Sequence, residues 1–404
     1  MILIYNFFIR VYYVLIYFAS GWNSKAKKWI DGRKNIQLSF EKKQHDKQTI
    51  WFHCASVGEY EQALPLQKLV KKRYPQYQIF TTFFSPSGYQ YAHQKYPEEW
   101  IAYLPLDTKK NMKLFVEKVN PKAVFFVKYE FWYHALHSIY IKNIPLFLVS
   151  GIFRPDQLFF KRIGFFYRKI LSFFTCLFVQ DNESAQLLKS IQIEHVEVVG
   201  DTRYDRVINN KLNNFEDKKI NNFCSNKKIF IAGSVWNSDI DIFNKLIELL
   251  SDDWKIIIAP HEIKYFDKKM LIEPCDNYTS NGEIKSRILM IDTIGILSKI
   301  YRFGTFAYVG GGFGKGIHNI LEPIVYEIPV FFGPKNEKFL EAKQMIESGV
   351  AFEISTKNAE SVLKKNIFNK QEYNTFACKI NSLMSINTNV SEKIIVYISK
   401  YLNV

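Results

Sequence analysis

Beyond its first 22 residues the chain alternates short apolar runs with longer stretches of mixed, helix-like character. In the first half the runs fall at residues 49–54, 78–83, 123–127, 145–149, 177–180 and 196–199. Between them lie patterns such as residues 58–73, which carry Ala63, Leu64, Leu66, Leu69 and Val70. The cadence stops at residues 207–227, a polar stretch rich in Asn and Lys, and resumes with runs at 228–232, 255–259, 287–291, 306–309 and 329–332. Short buried strands alternating with helices predict a doubly wound, mostly parallel sheet. Two such sets separated by a polar linker predict two Rossmann-like domains facing a cleft. No shorter repeat interrupts them.

Residues 1–22, MILIYNFFIRVYYVLIYFASGW, are apolar and aromatic except for Asn6, Arg10 and Ser20. A spanning helix needs about 20 apolar residues, and a charge near its middle is costly there. Arg10 is such a charge, and the main basic cluster (Lys25, Lys27, Lys28, Arg33, Lys34) follows the segment, whereas a secretory signal puts its positive charge first. The pattern predicts a membrane-associated helix at the cytoplasmic surface, interfacial or shallowly inserted. A first helix buried against the domain is the alternative.

Composition narrows the classes. Hydrophobic residues make up 48% and charged residues 23%, enough apolar material for ordered globular domains. The five cysteines form no C-x-x-C pair and the eight histidines no H-E-x-x-H, so neither a disulfide framework nor a metal site is expected. The 54 basic and 39 acidic residues leave a net charge of +15, which suits nucleic acid, an anionic membrane surface or a merely solvated lysine-rich exterior. No signature of a nucleic-acid module accompanies it.

In open α/β sheets ligands sit outside the carboxyl ends of the strands, so the residues after each run are the candidates. Ala55-Ser56-Val57-Gly58-Glu59 follows the first run. Ser56 suits a helix cap and Gly58 a close ligand approach. Glu59 would lie in the first helical turn, where the dipole favours its ionised form, as a general base needs; Ser-x-x-Glu is equally a capping box. In the second half, Val309-Gly310-Gly311-Gly312-Phe313-Gly314-Lys315-Gly316 leads into His318-Asn319-Ile320-Leu321-Glu322-Pro323. It reads as a backbone cradle for phosphate, or a tight turn, and is neither a Walker loop nor a dinucleotide fingerprint. Asn319 and Glu322 are spaced to share a helix face. Gly233-Ser234-Val235-Trp236, Pro260-His261-Glu262 and Lys128-Tyr129-Glu130-Phe131-Trp132 also follow strands. Arg203 is placed to meet a developing negative charge or to pair with Asp205.

Together these motifs resemble the bacterial 3-deoxy-D-manno-octulosonic acid (Kdo) transferases of lipopolysaccharide synthesis. The resemblance runs through Ser56-Val57-Gly58-Glu59, Tyr103-Leu104-Pro105-Leu106-Asp107, Glu130-Phe131-Trp132, Gly233-Ser234-Val235-Trp236, Asp292-Thr293-Ile294-Gly295 and His318–Pro323. It implies an α/β protein of the GT-B fold with an amino-terminal membrane-associated helix at 1–22. An acceptor-binding domain at 23–206, a linker at 207–227 and a donor-binding domain at 228–404 would follow, the last helix being able to pack back on the first domain. The implied reaction moves Kdo from CMP-Kdo to a hydroxyl of the lipid A precursor, lipid IVA, and releases CMP. The enzyme would work on the cytoplasmic face of the inner membrane with no metal or other cofactor, since fixed donors can neutralise a monophosphate leaving group. By the family pattern Glu59 is the general base, and Glu130 and Arg203 support the transition state. Pro260, His261, Gly295, Ile296, Leu297, Asn319, Ile320, Leu321 and Glu322 contact CMP-Kdo.

Three positions depart from that pattern. The family commonly has Pro-Arg-His where this chain has Pro260-His261-Glu262, leaving Lys264 or Lys315 to meet part of the phosphate charge. Lys128 stands where the family has an acid, and Arg203 where it has Lys. The partners expected are CMP-Kdo, the glycolipid acceptor and an anionic membrane, not nucleic acid. Other readings are a different GT-B enzyme (an epimerase or lipid-linked glycosyltransferase), a basic nucleic-acid-binding protein, or a silent membrane scaffold.

Overall fold

The computed structural model describes residues 1–34, 36–367 and 370–402. The chain forms two compact units, Met1–Arg206 with the chain from Thr388 onward, and Val207–Asn387.

The first unit opens with α1 (Ile2–Ala19) and α2 (Ser24–Lys34) and is built on β1 (Gln48–Cys54), β2 (Tyr77–Phe83), β3 (Trp100–Tyr103), β4 (Pro121–Val127), β5 (Leu146–Gly151), β6 (Cys176–Val179) and β7 (Val196–Val198). Its sheet has the order β3-β2-β1-β4-β5-β6-β7, and every pair is parallel. Parallel strands need helical crossovers that cover both faces, which is why the strands read as continuous apolar runs. Trp51, Phe80 and Phe126 enter the core on one face, and Phe52, Phe125 and Phe147 on the other. The closing helix Val390–Leu402 belongs to this second core through Ile394, Ile395 and Ile398. Its amino-terminal amides, those of Val390 and Ser391, donate to the carboxylate of Asp205.

The second unit holds β8 (Lys228–Val235), β9 (Trp254–Pro260), β10 (Cys275–Asn277), β11 (Ile288–Met290), β12 (Phe306–Val309), β13 (Val330–Phe332) and β14 (Ala351–Glu353), in the order β10-β11-β9-β8-β12-β13-β14. It too is parallel throughout. Both units are thus α/β with one seven-stranded parallel sheet each.

Three strands, β3, β10 and β14, lie outside the runs expected from the apolar pattern. All three are sheet edges of three or four residues. An edge strand has one neighbour and needs less apolar sequence, so it leaves a weaker trace.

Residues 207–227 are not an extended linker. They contain the end of the helix Thr202–Leu212 and the helix Lys218–Cys224. Val207, Ile220 and Phe223 are buried anchors within the polar sequence, and Asp217 caps the second helix by accepting from the Ile220 amide at 2.9 Å. A short helix needs only such a cap and two or three inward residues, which composition alone conceals. The closing helix joins the first unit, the packing-back that the resemblance allowed.

Candidate active site

The amino-terminal segment is helical throughout α1, and it is long and apolar enough to cross a membrane. One seam holds it to the first unit. The Tyr5 hydroxyl donates to Asp107 Oδ2 at 2.5 Å, and His134 Nε2 meets Asn6 Oδ1 at the same distance. Ile9 is buried. Leu3, Phe7, Val14 and Phe18 remain exposed on α1. Asp107 also receives the His134 and Ala135 amides that open the helix Tyr133–Tyr140. The Tyr-Leu-Pro-Leu-Asp motif therefore ends in a buried carboxylate that joins α1 to the fold.

At the carboxyl edge of the first sheet, β1 turns into α3 (Val57–Arg73) and Glu59 folds back on the turn. Its Oε2 accepts the amides of Ala55 and Ser56, the latter at 3.0 Å. The helix dipole alone would keep this carboxylate ionised at low pH, but the structure reverses that expectation. Burial pushes Glu59 up to about 7, with the charge of Glu130 adding to the rise and Lys128 and the two amides opposing it. Desolvation and a like charge outweigh two hydrogen bonds and a partial dipole.

Glu130 follows β4 and is held through its own Oε2. Trp132 Nε1 donates to that atom at 2.6 Å, and His53 Nε2 lies 3.3 Å from it. His53 is fully buried in β1, in register with Thr82 of β2 and Phe126 of β4. Thr82 Oγ1 receives the Trp51 indole N–H at 2.8 Å and lies 2.8 Å from His53 Nδ1. The hydroxyl proton can then serve Nδ1, which leaves the Nε2 proton directed at Glu130. The turn before Glu130 holds Lys128 at φ 59°, within electrostatic reach of both Glu59 and Asp201.

Arg203 lies after β7 and pairs with Asp201. Arg203 Nε reaches Asp201 Oδ2 at 2.7 Å and a terminal nitrogen reaches the same atom at 2.6 Å. Gln62 Nε2 donates to Asp201 Oδ1 at 3.0 Å. Burial opposes its charge, yet Arg203 holds Asp201 below the usual carboxylate range. Asp205 is committed to capping the closing helix. The first unit therefore brings Glu59 and Glu130 together, with Lys128 linking them electrostatically to the Asp201–Arg203 pair.

In the second unit the residues after β8, β9 and β12 converge. The Trp236 and His261 rings stack with centroids 4.5 Å apart, and His261 and His318 stack at 4.3 Å. Trp236 Nε1 donates to His318 Nε2 at 3.1 Å, so His318 is a neutral acceptor. Burial, and then His261, push its pKa down to about 4. Lys315 Nζ lies 5.5 Å from the centroid of the Trp236 ring. Pro260 ends β9, and the His261 amide donates to Val235 O at 2.9 Å.

The glycine-rich block is explained first by packing. A Cβ on Gly310 would run into the Ser234 carbonyl, and one on Gly312 would come within 2.6 Å of Gly333. Backbone meets backbone here, so these glycines are required whether or not a phosphate binds. Asp239 ties the turns together, accepting from Tyr308 Oη at 2.9 Å, the Trp236 amide at 2.8 Å and the Gly311 amide at 3.2 Å. Asn319 orients Glu322 (Nδ2 to Oε1, 3.4 Å) and accepts from the Leu321 amide at 3.2 Å. Ile320 and Leu321 are fully buried, which leaves Asn319 and Glu322 as the polar side chains of that segment. Gly295 turns at φ 96° ahead of Ile296 and the short helix Leu297–Ile300. Leu297 of that helix and Tyr301 just after it lie against Gly233 of β8, and Tyr301 feels the charge of Glu322.

Sequence reasoning missed His53, Asp239 and the Tyr5–Asp107 pair. His53 carried a signal, a titratable residue inside an otherwise apolar strand. Asp239 and Tyr5 gain meaning only from partners 69 and 102 positions away.

Solved structures share this fold. The UDP-GlcNAc 2-epimerase of Neisseria meningitidis bound to UDP-GlcNAc aligns with a TM-score of 0.62 at 12% identity, covering 87% of this chain and 100% of that one. Acinetobacter baumannii MurG aligns at 0.57 and 11% identity, covering 88% and 99%. At these identities the likeness concerns architecture alone, and the architecture is that of GT-B proteins. Closer relatives share more sequence. The 3-deoxy-D-manno-octulosonic acid transferase of Aquifex aeolicus is 29% identical over 330 residues, 79% of this chain and 85% of its own length. That of Haemophilus influenzae is 26% identical over 316 residues, 74% of each. A Fusobacterium nucleatum protein described as a bifunctional glycosyltransferase/methyltransferase is 28% identical over 402 residues, 92% of this chain, which spans 60% of that longer protein. Residues 32–206 match the family described as 3-deoxy-D-manno-octulosonic-acid transferase (kdotransferase). Over residues 32–206 the chain carries a domain of the Kdo transferase family.

Proposed function

We propose that this protein transfers Kdo from CMP-Kdo to a hydroxyl of the lipid A precursor lipid IVA at the cytoplasmic face of the inner membrane, without a metal or other cofactor. The acceptor oxygen forms a bond to the anomeric carbon of Kdo as the bond from that carbon to the CMP phosphate breaks. The hydroxyl proton passes to Glu59, and CMP leaves with the electron pair. The observation that carries the reading is the Glu59 carboxyl, poised near 7 at the carboxyl edge of the sheet, in a segment matched by the family. A base whose pKa lies near the working pH is deprotonated often enough to accept a proton and basic enough to hold it. Glu130, oriented by Trp132 and His53, sustains that shift. Arg203, ordered by Asp201, adds positive charge for the transition state.

The donor falls to the second unit. His261 with Pro260, the turn Gly295-Ile296-Leu297, and Asn319 and Glu322 with the backbone of Ile320 and Leu321 form its contacts. Lys315 and Lys264 carry the phosphate charge that an Arg at position 261 would otherwise meet. The basic cluster after α1 suits an anionic leaflet and a bisphosphorylated acceptor.

The test is transfer from CMP-Kdo, generated in situ, to lipid IVA, with mass spectrometry counting the sugars added and CMP and UDP binding measured beside it. Turnover with preference for CMP supports the reading. Binding of UDP instead moves the chain to another nucleotide-sugar reaction, and a folded protein that binds neither nucleotide sinks it.

A further inference from the structure

Between α1 and the body of the first unit lies a cavity of about 490 Å³, lined by Tyr5, Phe8, Val11, Tyr12, Leu15 and the Trp132 ring. Positions 5, 8, 12 and 15 fall along one stripe of the helix. The lining is aliphatic and aromatic, and two of its polar atoms are bonded to partners outside it. Tyr5 Oη donates to Asp107 and Trp132 Nε1 to Glu130. Trp132 stacks on Phe84 at 4.9 Å, and Phe84 in turn stacks on Tyr12 at 6.3 Å. The groove therefore ends on the residue whose indole holds Glu130, beside the carboxylate pair.

Its surroundings favour an anionic amphiphile. α1 carries no acid, and α2 carries Lys25, Lys27, Lys28, Arg33 and Lys34 against the single acid Asp31. The Arg33 guanidinium lies 3.6 Å from the centroid of the Trp29 ring and donates to the carbonyls of Phe84 and Leu104, both at 2.9 Å. The Tyr12 hydroxyl is within electrostatic reach of both Arg33 and Glu130. A cation, Arg33, thus stands near an apolar slot whose inner end is the Trp132 ring that holds Glu130, and a negatively charged headgroup with an acyl tail matches that order.

We propose that the groove between α1 and Trp132 receives one acyl chain of the anionic glycolipid acceptor, so that α1 selects the acceptor by its tail as well as attaching the enzyme to the membrane. This rests on the acceptor reading above. It goes further in making α1 part of the binding site, with the tail seated beside Trp132 so that the headgroup hydroxyl is presented at Glu59.

The experiment uses the full chain and a lipid IVA analogue bearing a photoreactive diazirine on one acyl chain, with a diazirine-bearing phosphatidylglycerol in parallel. Adducts on Tyr5, Tyr12 or Trp132 that form preferentially from the acceptor analogue are expected. Adducts confined to the outward residues Leu3, Phe7 and Phe18, or equal labelling by both lipids, would overturn the proposal. A kinetic arm compares kcat/KM for acylated and fully deacylated acceptor. Val11→Trp fills the groove and should reduce the preference for the acylated form about tenfold, the equivalent of roughly two buried methylenes. An unchanged preference counts against the groove. If the groove is labelled preferentially by the acceptor analogue while wild type transfers no Kdo, the acyl site stands and the donor chemistry falls.

Discussion

The two units present the same architecture and equip it differently. At the carboxyl edge of the first sheet the chemistry is made of charge, with Glu59, Glu130, Lys128, Asp201 and Arg203 set among buried donors. At the same edge of the second sheet it is made of space and flat surfaces. Glycine backbones pack against one another, and the rings of Trp236, His261 and His318 form a stack. A parallel sheet offers one edge to function, and what grows there decides whether the edge titrates or simply receives. Burial acts on both edges. In the first it raises a carboxylate toward neutrality, and in the second it holds a histidine uncharged.

The sharpest way to break this contrast is Glu59→Gln. The amide keeps an oxygen for the Ala55 and Ser56 N–H groups, so the turn survives while the base is lost. Transfer should fall by roughly 10²–10⁴-fold with CMP affinity intact, read by turnover and calorimetry side by side. Comparable activity in the variant would move the base elsewhere.

Gly312→Ala tests the other edge. A methyl forced against Gly333 should cost roughly 1–3 kcal/mol of stability and weaken CMP binding, seen as a lower Tm and a higher Kd. A wild-type Tm would mean that the two turns can separate without penalty.

Glu130→Gln sharpens the electrostatic half. Glu59 acts when deprotonated, so kcat/KM should rise with pH through about 7 and level off above it. With the neighbouring charge removed, the Glu59 proton leaves more readily and the limb should move to lower pH. Burial, the larger cause, keeps it above the ordinary carboxyl value. A limb that stays put would assign the pH dependence to another group.

The smallest effect is expected at His318. Its pKa is depressed in the folded chain, so the unfolded chain binds the proton more readily. Stability is full above the unfolded value near 6.5 and declines as pH falls toward about 4. Thermal melts between pH 7 and pH 4 should show that decline, and His318→Gln should flatten it.

Much of this was legible in the order of residues. Eleven of the fourteen strands among the described residues announced themselves as apolar runs, because a strand buried on both faces must be apolar along its whole length. The motif at residues 56–59 marked Glu59, and Glu130 and His261 stood at strand ends as expected. The fate of Arg203 was not legible. Asp201 and Asp205 are both near it in sequence; the guanidinium pairs with Asp201, and the closing helix brings its amides to Asp205. The polar residues 207–227 likewise read as a linker because two short helices need only a few inward side chains.

The sequence by itself determined the two α/β halves, the apolar first helix and the strand-end positions where chemistry gathers. These follow from local periodicity and from the one edge that a parallel sheet leaves open. Only the tertiary structure decided the charge states and partnerships. The Glu59 pKa is raised to about 7 because the surrounding core buries it and Glu130 reaches it from another strand. His53 matters because Thr82 and Glu130 flank it, and α1 is seated because Tyr5 finds Asp107. Desolvation and pairwise charge depend on distance in space, and chain order does not carry that distance.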